Sequence, residues 1–131
     1  MYKYNSVSSK NVYHFNHTHY AEDFRLNFEF FINLLPFADG TITNVLDFGA
    51  GGGILGWLLR DKYPKINVIS IVLPDFPYCE YMSERGQLCL YSDARKTLPF
   101  SKNSFDFIHM RWLVHNYDNS TQWNIMFELN R

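Results

Sequence analysis

The chain has 131 residues, with 12 basic and 13 acidic side chains for a net charge of −1, and it is 18% aromatic and 19% charged. That length bounds it to one domain, and the charge balance supplies no electrostatic footprint for nucleic acid or an acidic membrane surface. The opening Met1-Tyr2-Lys3-Tyr4-Asn5-Ser6 has no apolar signal core, and no apolar run approaches the ~18 residues of a membrane span, so a cytoplasmic protein is expected.

Residues 1–18 are polar and aromatic without period and read as an N-terminal arm, with the folded domain over 19–131. From Tyr20 to Leu35 the apolar positions Phe24, Phe28, Phe31 and Leu35 step by helical intervals, and Pro36 and Asp39-Gly40 then stop the helix and turn the chain. Thr43–Phe48 reads as a buried strand. Gly53–Tyr63 reads as a helix with Ile54, Leu55, Leu58 and Leu59 inward, ended by Pro64. Val68–Leu73 is a second β-branched run. Asp75 is placed to cap a short helix with Pro77 in its first turn and Gly86 as its terminator. Leu88–Tyr91 and Phe105–Met110 are the third and fourth strands, and a last helix begins near Thr121. Such alternation predicts an α/β fold, a Rossmann-like parallel sheet of about four strands with helices on both faces; the strand order expected is third, second, first, fourth.

Cys79 and Cys89 show no CxxC spacing and read as free thiols of a reducing compartment. His14, His17 and His19 cluster in the arm without a cysteine or acid at metal spacing, so no metal site is assigned. Trp57, Trp112 and Trp123 read as core or pocket walls.

The most informative stretch is Val45-Leu46-Asp47-Phe48-Gly49-Ala50-Gly51-Gly52-Gly53-Ile54-Leu55-Gly56. A strand that turns sharply into a helix while its backbone approaches a ligand needs residues without a Cβ, and the alternating glycines supply them. Gly51, Gly53 and Gly56 also satisfy GxGxxG, the dinucleotide fingerprint, with Asp75 further along. Against that reading, the turn begins two residues earlier at Gly49. Asp47 also brings a carboxylate to the strand end, which opposes a pyrophosphate and suits a cation.

With Asp47 before the first glycine, the stretch resembles the first signature motif of class I S-adenosylmethionine-dependent methyltransferases. The resemblance continues through Ser92-Asp93-Ala94 after the third strand, through the passage Leu98-Pro99-Phe100-Ser101-Lys102-Asn103-Ser104-Phe105-Asp106-Phe107-Ile108-His109, and through His109-Met110-Arg111-Trp112-Leu113-Val114-His115. It covers about residues 43–131. It implies S-adenosyl-L-methionine as cofactor, held by Asp47, Gly49, Gly51, Gly53, Val72, Leu73, Asp93, Ala94 and His109. Asp47 would face the methionyl amine and Asp93 the adenine amine. Where an oxygen or nitrogen acceptor needs a base, His109 and His115 are the candidates.

Two departures from the family pattern stand out. The family places an acid at the end of the second strand to bridge the ribose hydroxyls, where this chain has Val72 and Leu73. The family's sheet also has seven strands, so four imply a C-terminally truncated domain whose fourth strand exposes an apolar edge and invites self-association. Three functions follow: a methyltransferase of unknown acceptor, a non-catalytic cofactor-binding or scaffold remnant, and an NAD-dependent oxidoreductase.

Overall fold

The computed structural model describes residues 28–74, 77–93, 95–110 and 117–131. The arm of residues 1–18, His14, His17 and His19, the first part of the expected helix with Phe24, Asp75, Ala94, Trp112 and His115 lie outside the described residues. The elements in order are helical residues 28–34 (α1), β1 Asn44–Phe48, α2 Ile54–Lys62, β2 Asn67–Val72, α3 Tyr78–Glu84, β3 Leu88–Tyr91, β4 Phe107–Met110 and α4 Asn119–Leu129. The sheet has four strands in the order β3-β2-β1-β4, every neighbouring pair parallel. The expected α/β class and strand order are therefore present.

Alternation along the strands sorts the side chains onto two faces. On one, Val45 packs with Ile32, Phe37, Ile42, Leu55, Leu59 and Ile66, joined by Phe28, Phe31 and Phe107. On the other, Leu46, Phe48 and Ile71 meet Leu98 and Ile125, so α4 covers the sheet there. A third cluster, Val72, Tyr78, Tyr81 and Met82, seats α3. The central strand β1 is buried along four of its five residues, whereas Leu88 and Leu90 of the edge strand β3 are exposed.

Several local expectations are corrected. Cys79 and Cys89 are not free thiols but a disulfide joining α3 to β3. Spacing alone hid this pair, because only the packing of α3 on β3 brings the two Cα atoms to 5.0 Å. Pro77 stands at the N-cap of α3 rather than in its first turn. The helix α4 starts at Asn119, because Asp118 accepts from the Thr121 backbone N–H at 2.8 Å and caps it. Strand β4 starts at Phe107, not Phe105. Asp106 instead turns its carboxylate to the backbone N–H groups of Thr43 and Asn44, at 3.0 and 2.9 Å, pinning the start of β1. Those donors favour the ionised form and lower the Asp106 pKa. Trp57 and Trp123 are not core walls: they are 42% and 76% exposed, and the Arg85 guanidinium lies over the Trp57 ring.

Candidate cofactor site at the carboxyl end of β1

The sheet order reverses at β1, with β2 on one side and β4 on the other, and the carboxyl end of a strand at such a reversal is where open α/β sheets bind ligands. The glycine stretch lies there. Gly49, Gly51 and Gly53 all have positive φ, at 76°, 57° and 76°. That left-handed region costs ordinary residues about 1–2 kcal/mol each, so the alternation seen in the sequence is the imprint of this backbone path. Gly49 and Ala50 donate to the Ile71 carbonyl at 2.8 and 3.2 Å, stitching the loop to β2.

The glycines divide the work. A Cβ on Gly53 would stand 2.5 Å from Met82 Sδ, so this residue lets the loop close on α3. Its carbonyl also accepts from Gln87 Nε2 at 2.8 Å. Gly56 would meet Val68 Cγ1 at 3.2 Å, so it sets the approach of α2 to β2.

Asp47 is 2% exposed and His109 is its register partner across the β1–β4 pair. His109 Nδ1 lies 2.9 Å from Asp47 Oδ1, and among the described residues this is the hydrogen bond the carboxylate receives. Phe28 and Phe31 of α1 pack against the imidazole, with centroids at 5.5 and 5.7 Å. Val72 is 4% exposed and packs under α3 with Tyr78, Tyr81 and Met82, while Leu73 is half-buried. Neither brings an acceptor to the end of β2.

Asp93 follows β3, where Ser92 N–H still donates to the Val72 carbonyl at 3.0 Å. Its carboxylate is already gripped by Arg95. Oδ1 accepts from the Arg95 backbone N–H and Nε at 2.9 Å each, and Oδ2 accepts from Nη2 at 2.7 Å. The guanidinium bonds, then the backbone N–H, lower the Asp93 pKa to about 2. The structure thus brings Asp47, the three glycines and His109 together, with Val72, Leu73 and Asp93 on the flanking strand ends. Sequence reading missed the His109–Asp47 bond and the Arg95 grip. The second was available from the spacing of Asp93 and Arg95 in a turn; the first needed the β1–β4 register.

A second concavity, about 160 Å³, lies on the other face between α4 and the 98–105 segment, lined by Leu46, Leu98, Phe100, Ile108 and Leu129. It is smaller than the ~300–1,000 Å³ usual for ligand pockets. Among the described residues no cluster of metal-binding side chains occurs, and no helix is long and apolar enough to cross a membrane.

No protein-family model and no curated protein sequence matches the chain. Solved structures do. The chain is similar to PigF with SAH, at a TM-score of 0.71 and 23% identity over 93% of this chain and 37% of that one. It is also similar to the PH0226 protein from Pyrococcus horikoshii OT3, at 0.67 and 23% over 87% and 53%. The mitomycin 7-O-methyltransferase MmcR is a third, at 0.62 and 20% over 95% and 39%. The fold is the class I methyltransferase-like fold. The chain spans 37% to 53% of the length of these three structures.

Proposed function

We propose that the chain forms the cofactor-binding part of an S-adenosyl-L-methionine-dependent methyltransferase. The observation that carries this reading is the loop at the sheet's reversal point, with Gly49, Gly51 and Gly53 at positive φ directly after a strand ending in buried Asp47. The residues present suit such a ligand at two of its three parts. Asp47 offers a buried carboxylate for the methionyl ammonium, and Asp93 stands where the adenine amine needs an acceptor but would have to share its oxygens with Arg95. At the ribose, Val72 and Leu73 offer only apolar contact. PigF was solved with SAH, which adds support from a neighbour of the same fold.

When bound, the cofactor would supply an electrophilic methyl group on a sulfonium. The chain's own part is to fix that group in line with an acceptor, which is chiefly a matter of proximity and orientation. The acceptor it would serve is a small molecule or another nucleophile. Calorimetric titration with S-adenosyl-L-methionine, its demethylated product and NAD tests the proposal. Tighter binding of the sulfur ligands than of NAD is expected. The reverse order would move the chain to the oxidoreductases.

The reading as a non-catalytic, weakly binding relative is favoured by two specific observations: the apolar end of β2 and the prior engagement of Asp93 by Arg95. Under that reading the sulfur ligands still bind ahead of NAD, but no methyl transfer is seen with any acceptor.

A further inference from the structure

We propose that His109 is a positioning residue that acts on the cofactor through Asp47, and neither touches the reacting atoms nor serves as their base. The inference rests on the cofactor reading above and goes beyond it in assigning the histidine a role. Three observations carry it. His109 and Asp47 are direct register partners on adjacent parallel strands, so both side chains leave the same face at the same level. The imidazole nitrogen that meets the carboxylate is Nδ1, at 2.9 Å from Oδ1. The ring also packs against Phe28, edge-on at 72°, and Phe31, tilted at 58°.

A carboxylate 2% exposed at the end of a strand needs a donor to fix its rotamer. The His109 Nδ1, 2.9 Å from Oδ1, is placed to be that donor. Oδ1 is then committed to His109, and Oδ2 is the oxygen directed to the methionyl ammonium. The ring itself is clamped: Asp47 takes Nδ1, and Phe28 and Phe31 of α1 fix its plane. The side chain is only 13% exposed, which suits a fixed prop rather than a base that must reach a variable acceptor. The chain of contact runs from α1 through His109 and Asp47 to the ligand.

The test compares two ligands that differ only at the methionyl end, S-adenosylhomocysteine and 5′-methylthioadenosine, by calorimetry on the full chain. His109→Leu removes the Nδ1 donor and is expected to weaken S-adenosylhomocysteine about tenfold while leaving methylthioadenosine unchanged. His109→Asn places an amide N–H near the position of Nδ1 and is expected to restore S-adenosylhomocysteine affinity to within about twofold of wild type, which a merely structural histidine would not require. His109→Gln carries its donor one carbon further out and should resemble the leucine variant. If His109→Leu does not fold, the asparagine–glutamine contrast carries the test alone. Equal weakening of both ligands, or no effect on either, overturns the positioning role while leaving the cofactor reading intact. A wild-type chain that binds neither ligand overturns the cofactor reading, and this inference with it.

Discussion

The pairing of β1 with β4 presents two candidate ligand sites, and they lie on opposite faces of the sheet. On one, buried Asp47 and half-buried His109 sit beside a glycine loop that Gly49 and Ala50 tie to β2 and Gly53 closes on α3. On the other, Leu46 and Ile108 floor a cavity of about 160 Å³ closed by α4 and the 98–105 segment. The cavity is the more visible hollow, yet its charges, Glu128 and Arg131, are partly exposed and already pair with each other at 3.6 Å. Its polar contacts, Glu128 to the Leu98 N–H and Arg131 to the Leu98 and Phe100 carbonyls, tie the chain to itself. Concavity and chemistry thus separate here, and buried charge at a strand's carboxyl end outweighs open volume.

If the loop is the constrained region and the cavity rim the tolerant one, substitutions should differ sharply between them. The largest effect is expected at Gly53. Gly53→Val combines a left-handed φ with a Cβ 2.5 Å from Met82 Sδ. It should destabilise the fold by roughly 3 kcal/mol, counting backbone strain and overpacking, as read from urea unfolding. A loss under about 0.5 kcal/mol would mean that the loop is as tolerant as the rim.

The flank of the cofactor site depends on the disulfide. Cys79 and Cys89 close a short loop, so reduction by a dithiol should cost about 2–3 kcal/mol on the chain-entropy account. Unfolding midpoints with and without reductant measure it, and identical midpoints would show that the bridge constrains nothing. On the cavity side, Asp118→Ala removes the α4 cap and should cost about 1 kcal/mol.

Acid should act on the cofactor side through Asp93, whose folded-state pKa lies below its ordinary value of 3.8, at about 2. A depressed carboxylate pKa adds stability that is complete above 3.8 and is lost as pH falls towards 2. Arg95→Ala should therefore flatten part of the stability decline in that window, and an unchanged acid profile would contradict it. The smallest effect is expected at the cavity rim. Asn103 already occupies φ 58°, which asparagine tolerates, so Asn103→Gly should shift stability by less than about 0.5 kcal/mol.

Much of this arrangement was legible in the sequence, for physical reasons. The glycines of 49–53 mark positive φ because other residues are strained there, and three of them have it. The alternation of strand and helix patterns implied parallel strands, and the expected order of third, second, first, fourth is the one present. What stayed hidden depends on contacts between distant elements. The Asp47–His109 bond requires the register of β1 on β4, and the Cys79–Cys89 bridge requires the seating of α3 on β3. Trp57 and Trp123 misled because large aromatic side chains are buried on average, and a single chain offers no sign of the exceptions.

The most direct test of the central claim is to follow backbone amide shifts while adding S-adenosylhomocysteine to the full chain. The ligand should move the resonances of Asp47, Gly49, Ala50, Gly51, His109 and Asp93 and leave those of Asn103, Ser104, Leu129 and Asn130 in place. Shifts concentrated around the cavity residues instead, with the glycine loop unmoved, would contradict the assignment of the site to the carboxyl end of β1.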